Sequence, residues 1–96
     1  MHTNNMTIID LLNNLFDTNF DICSDLFKEG HYESLVTIFR DLKEEKTLEI
    51  DIADCYMEDS VLCIVIETNN LELIQKTIKT DPNIILEGNL IRCRRS

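Results

Sequence analysis

The chain has 96 residues, 18 of them acidic and 9 basic, and its formal net charge at pH 7 is −9. This length allows one domain with a modest core, and it excludes an enzyme with separate substrate lobes around a deep cleft. The acidic balance argues against nucleic acid and anionic membranes as partners, because phosphate binding needs clustered Lys and Arg. No apolar run is long enough to cross a membrane. The first residues do not resemble a secretory signal, so we expect a cytoplasmic or nuclear protein.

The first half of the chain predicts three helices. Residues 1–6 are expected to be disordered, and Thr7 can cap a helix over about residues 8–14. A second helix is predicted over residues 20–29, and Gly30 is expected to end it. The third covers residues 31–43 and carries apolar residues at helical spacing.

The segment after the third helix has a different pattern. Leu48, Ile50 and Ile52 alternate with the acidic residues Glu49 and Asp51. Taken alone, strict alternation of this kind predicts a half-buried strand.

The second half contains two apolar groups at helical spacing, separated by Asn69-Asn70. The groups are Val61, Leu62, Val65 and Ile66, followed by Leu71, Ile74 and Ile78. This pattern predicts two short amphipathic helices, over about residues 59–68 and 71–79, that fold back on each other. Pro82 then turns the chain, because proline cannot continue a helix. The apolar segment over residues 84–91 has no clear helical partner.

Residues 60–82 resemble an ankyrin repeat, whose pattern runs T-P-L-H-x-A, a turn, and V-x-x-L-L. The matching positions are Ser60 for Thr, Leu62 for the inward Leu, Val65 for the small Ala, Asn69-Asn70 for the turn, Ile74 for Val, and Thr77-Ile78 for the Leu pair. Val61 and Cys63 depart from the family's Pro and His. The resemblance implies an all-α fold, a short ankyrin-like helix-hairpin solenoid with about two degenerate repeats plus an N-terminal helix.

On this interpretation one ankyrin-like domain covers residues 1–96. It divides into an N-terminal cap helix at 7–16, a repeat with a long finger at 19–54, a second repeat at 55–86 and a tail at 87–96. The alternating stretch then becomes an extended loop between repeats, with Leu48, Ile50 and Ile52 facing the stack.

The resemblance implies a protein–protein interaction module that acts as an adaptor or a competitive inhibitor of a cellular or host regulatory protein. Ankyrin fingers commonly contact partners, so the expected partner-binding residues are the finger acids Glu44, Glu45, Glu49, Asp51 and Asp54. An acidic finger favours a partner with a basic surface. Short, acidic ankyrin chains also resemble the inhibitor-of-NF-kappaB-like proteins of some large DNA viruses, which implies modulation of that pathway or of immunity in the host cytoplasm.

Other interpretations remain open. Five helices also fit a compact bundle, like death-fold or viral Bcl-2-like regulators, that takes a partner helix in a groove. The chain could equally be the end of a longer solenoid, and the segment at 84–91 could support a homodimer.

No enzyme, cofactor or metal site is predicted. The chain has no Gly-rich phosphate loop and no arrangement of a nucleophile with a histidine. Its cysteines lack C-x-x-C spacing, so free thiols are expected at Cys23, Cys55, Cys63 and Cys93. Asp21, Asp25 and Glu29 share one face of the second predicted helix, where a solvated acidic face is favoured over a cation site.

Overall fold

A computed structural model describes residues 8–21, 32–79 and 81–94. These residues form a mixed α/β fold with helices and one antiparallel sheet. The helices are α1 (Ile8–Phe16), α2 (Glu33–Glu44) and α3 (Leu71–Ile78), and the strands are β1 (Ile50–Glu58), β2 (Val61–Thr68), β3 (Ile84–Glu87) and β4 (Leu90–Cys93). The predicted all-α solenoid is therefore wrong, and so is the compact helical bundle.

The sheet is built from two hairpins joined through α3. Its strand order is β1-β2-β4-β3, and every neighbouring pair is antiparallel. The pairing of β2 with β4 joins the two hairpins at the centre of the sheet. Within the described part of the chain, β1 and β3 are thus the edge strands.

A two-residue turn connects β1 to β2. Glu58 pairs with Val61, which leaves Asp59 and Ser60 in the turn with φ values of 51° and 67°. Two positive φ values are the mark of a type I′ turn, whose twist matches that of the flanking strands. The turn that links β3 to β4 contains Gly88, whose φ of 61° suits a residue without a Cβ atom.

The helix predicted over residues 59–68 is strand β2. Its apolar residues have helical spacing, but they also form a nearly continuous run, as in a strand whose two faces are both apolar. The run is rich in the β-branched residues Val61, Ile64, Val65 and Ile66, which favour extended structure. The helix hairpin that carried the ankyrin resemblance is consequently a strand followed by a helix.

Three of the other predicted helices correspond to α1, α2 and α3, with ends that differ by no more than two residues. The alternating stretch forms the start of β1, where Ile50 and Ile52 are buried and Leu48 packs against the core. The extended inter-repeat loop that the ankyrin resemblance implied here is therefore wrong, and the strand that alternation alone indicates is present, with Ile50 and Ile52 facing inward. Most of the predicted second helix, together with residues 1–6 and Cys23, lies outside the described residues.

One face of the sheet packs against the helices and forms the core. Leu62, Ile64 and Ile66 alternate along β2 and are fully buried on this face. The rings of Phe16 in α1 and Phe39 in α2 meet edge to face, with centroids 5.3 Å apart. The packing leaves the opposite face of the sheet without a described helix against it.

Candidate protein-binding surface

The side of the sheet away from the helices is called the outer face here. Because side chains alternate along a strand, the register of the strands gives the members of this face. They are Asp51, Asp54, Tyr56 and Glu58 on β1, Val61, Cys63, Val65 and Glu67 on β2, Leu90 and Arg92 on β4, and Ile85 and Glu87 on β3. None of them belongs to the core cluster formed by the described helices and the opposite face.

An apolar strip crosses the outer face, made of Val61, Val65, Leu90 and Ile85. Val65 lies directly opposite Leu90 in the β2–β4 pairing. Ile85 is 47% exposed, which makes it, with Leu71, one of two exposed large apolar side chains among the described residues. Antiparallel sheets with one solvated face usually alternate apolar and polar residues. The central strand β2 is apolar on both faces from Val61 to Ile66.

A row of three side chains lies in the middle of the strip. Cys63 on β2 lies opposite Tyr56 on one side and Arg92 on the other. It has no exposed surface, although it faces outward. This burial raises the pKa of the Cys63 thiol, an effect that the charge of Arg92 partly offsets. A covered neutral thiol of this kind is a packing residue and not a nucleophile.

The acidic border of the outer face comprises Glu49, Asp51, Asp54, Glu58 and Glu67. Asp51 lies directly opposite Glu67 in the β1–β2 register. Cβ atoms in such pairs are about 5 Å apart, and like charges at that separation are destabilising. Glu49, Asp51 and Glu67 also line one shallow concavity at this corner of the sheet.

Hydrogen bonds fix the backbone of the acidic corner. The Glu49 N–H donates to Oδ1 of Asn69 at 3.0 Å, and Nδ2 of Asn69 donates to the Thr47 carbonyl at 3.1 Å. The Thr68 hydroxyl donates to the Glu49 carbonyl at 2.7 Å. The next residue, Asn70, caps α3 by accepting from the Leu73 N–H. The Asn69-Asn70 break thus both ends β2 and ties it to the start of β1.

Charge is distributed unevenly between the two edges of the outer face. Arg92 Nη1 lies 3.5 Å from Glu87 Oε1, so the acid on β3 is paired. Within residues 8–21, 32–79 and 81–94 this is the only ion pair, and the charge of Arg92 also acts on Glu58 at the end of β1. Asp51 and Asp54 have no basic side chain of this kind beside them. The β1 side of the face is therefore the more negative.

The structure divides the five acids expected to bind a partner into two groups. Glu49 precedes β1, and Asp51 and Asp54 lie on β1, so these three belong to the acidic border. Glu44 ends α2 and Glu45 caps it, so these two lie at a helix end instead.

Sequence reasoning missed Glu58, Glu67 and the whole apolar strip. The available signal was the apolar run over residues 61–66, which lies between the acids Glu58 and Asp59 on one side and Glu67 on the other.

The part of the chain that the structure describes has neither a cluster of metal-ligand side chains nor a helix able to cross a membrane. No group of three or more His, Cys, Asp or Glu side chains there is placed to hold a metal ion. None of the described helices has the length and apolar character needed to cross a membrane. Cys55, Cys63 and Cys93 are free and buried.

Comparison with known proteins gives no family assignment. A scan against family models found no match. Searches of curated proteins and of solved structures found no significant match either. The ankyrin resemblance therefore stays an untested prediction, and the segment on which it depended forms β2 and α3.

Proposed function

We propose that this chain is a protein–protein interaction domain that binds a partner with a basic surface. The observation that carries the proposal is the acidic border, in which Asp51 and Glu67 face each other across two paired strands. This arrangement is unfavourable in the free chain. Residues that lower stability in the free protein are often retained because binding uses them.

A bound cationic surface would relieve the repulsion and gain attraction at the same time. Negative charge spread along one edge also steers a basic partner toward that edge before contact. The domain would act by occupation, as an adaptor or as a competitive inhibitor that covers a surface needed by another ligand. The ankyrin-based link to the NF-kappaB pathway carries no part of this proposal.

A random peptide display library selected on the immobilised chain tests the proposal. We expect the enriched peptides to be rich in Lys and Arg, and we expect their binding to weaken as salt is raised. The double variant Glu49→Lys/Asp51→Lys should reduce affinity for these peptides about tenfold or more, because it reverses two charges on the border.

The control variant is Asp21→Lys/Asp41→Lys, which makes the same charge change at two exposed acids outside the sheet. It should retain most of the affinity. Enrichment without a basic bias would contradict the proposal. Equal losses in the two double variants would also contradict it, because the attraction would then come from net charge alone.

A further inference from the structure

We infer that the outer face of the sheet is the docking surface for an amphipathic helix of a basic partner. The apolar stripe of that helix lies on the apolar strip, and its Lys and Arg residues lie along one flank, over β1. This inference rests on the proposed function and adds the place and form of the contact.

The composition of β2 favours a docking surface on this face. Val61 and Val65 occupy outward positions, where polar residues are usual in a sheet with one solvated face. Leu90 lies beside Val65 on β4, and Ile85 on β3 lies opposite Arg92 and diagonal to Leu90. Ile85 is exposed and the other three are half-buried. Apolar residues that are close together at the surface and bordered by charge mark interaction sites more often than scattered ones do.

The distribution of charge on the outer face favours a basic occupant. Among the described residues the acids of β1 form no ion pair, although the charge of Arg92 acts on Glu58, whereas Glu87 on β3 is paired with Arg92 directly. A helix on this face therefore meets free negative charge on one flank only. This asymmetry favours the β1 flank for Lys and Arg, because the Glu87–Arg92 pair on the other side offers no net negative charge.

The same charges argue against a second copy as the occupant. A two-fold axis along the strands would place each acidic border over β3, where the paired Glu87 and Arg92 offer no net positive charge. A two-fold axis across the strands would place the two acidic borders together. Like charges across an interface lower affinity and select against that pairing.

The dimensions also suit a helix. Val61 and Val65 are about 13 Å apart along the strand, a distance that about nine helical residues span. Strands lie about 4.8 Å apart, so a helix about 10 Å wide covers β2, β4 and part of a neighbouring strand. Three or four apolar side chains at helical spacing therefore match the strip.

An extended peptide added to the β1 edge is a poorer fit. The β1–β2 register shifts between Ile52 and Asp54, and such a bulge disrupts the hydrogen-bonding edge. At this bulge the Asp54 carboxylate accepts from the Cys55 N–H at 2.8 Å, so one backbone donor of β1 is already occupied. The acidic side chains of β1 and its bulge together make the addition of an extended strand at this edge unfavourable.

The test uses a synthetic helical peptide of about 16 residues, with leucines along one stripe, lysines along one flank and alanines elsewhere. It is titrated into the isotope-labelled chain, with backbone amide shifts read by NMR and affinity by fluorescence anisotropy. Two comparison peptides are a scrambled sequence of the same composition and a version with glutamate in place of lysine. The largest shifts are expected at Val61, Val65, Leu90 and Ile85.

The matched variants are Ile85→Ser and Leu71→Ser, which change the two exposed large apolar residues. Ile85→Ser and Val65→Ser should each weaken binding several-fold to tenfold, and Leu71→Ser, on α3, should leave it unchanged. Ile85 lies on an edge strand, so its variant keeps the test valid if Val65→Ser disturbs folding.

Three results would overturn the inference and leave the basic-partner proposal standing. They are shifts confined to the helical side, equal binding of the scrambled peptide, and self-association that Ile85→Ser abolishes. Failure of every basic peptide, including any enriched by display, would overturn both proposals.

Discussion

Cys55 and Cys93 are buried thiols on the core side of the sheet. Burial raises the pKa of each to about 12 from the usual 9.0, with Asp54 adding to the effect at Cys55 and Asp81 at Cys93. Both thiols are therefore neutral and unreactive at neutral pH, because the thiolate is the reactive form.

These two pKa values predict a pH dependence of stability. A group whose pKa is higher in the folded state binds more protons there, so its stabilising effect is complete below about pH 9 and is lost as the pH rises toward about 12. The free energy of unfolding of the native chain should fall more steeply above pH 9 than that of Cys55→Ala/Cys93→Ala. Urea unfolding of both proteins at pH 7, 9 and 10.5 measures this difference. Because lysines and tyrosines titrate in both proteins, the difference between the two slopes reports the thiols. Equal slopes would show that the thiols do not contribute.

At the scale of elements, the predicted fold class depends on whether β2 is assigned as a helix or as a strand. The spacing of its apolar residues satisfies both a helix and a strand, so periodicity alone could not assign it. In β1 the local alternation predicted a strand, but the ankyrin resemblance replaced that strand with a loop. The helices were predictable because their apolar residues lie on one face, as in α2, where Leu35, Val36 and Phe39 are buried. The outcome favours local pattern over a distant resemblance where the two disagree.

Two neighbouring residues of β2 should respond differently to truncation. Ile64 is fully buried in the core, and Val65 lies half-buried on the outer face. Ile64→Ala should lower the free energy of unfolding by about 2–5 kcal/mol, because it leaves a cavity. Val65→Ala should lower it by less than about 1 kcal/mol, since less apolar area is lost from a partly exposed site. Chemical denaturation of both variants measures this, and equal losses would contradict a strand with two distinct faces.

At the scale of the whole molecule, charge distribution links stability to binding. Glu49, Asp51 and Asp54 were recognisable from sequence as an acidic run. Their proximity to Glu67 was not, because it depends on the hairpin register of a segment that was predicted to be a helix. The apolar strip was hidden for the same reason, since it exists only when β2, β4 and β3 are side by side.

Glu67→Lys should stabilise the free chain and weaken its binding to basic peptides. It replaces a like-charge pair with an opposite pair beside Asp51, and it lowers the repulsion in a chain of net charge −9. We expect a gain of about 0.5–1 kcal/mol in low salt that shrinks in 1 M salt. Thermal unfolding at both salt concentrations measures it, and Asp41→Lys on α2 serves as the control. A gain in Asp41→Lys as large as that in Glu67→Lys would assign the effect to net charge.

The strand order has a consequence for how the chain folds. Each hairpin joins strands that are adjacent in sequence through a tight turn, so β1–β2 and β3–β4 can form locally and fast. The β2–β4 pairing instead joins residues as far apart as Leu62 and Cys93, with α3 between them. Closing that long loop is the entropically expensive step, so we expect the folding nucleus to centre on Ile64 and Ile91, which pair across it. Strand β2 carries core residues on one face and the apolar strip on the other. Its pairing with β4 would therefore limit the rate at which both the core and the outer face form during folding.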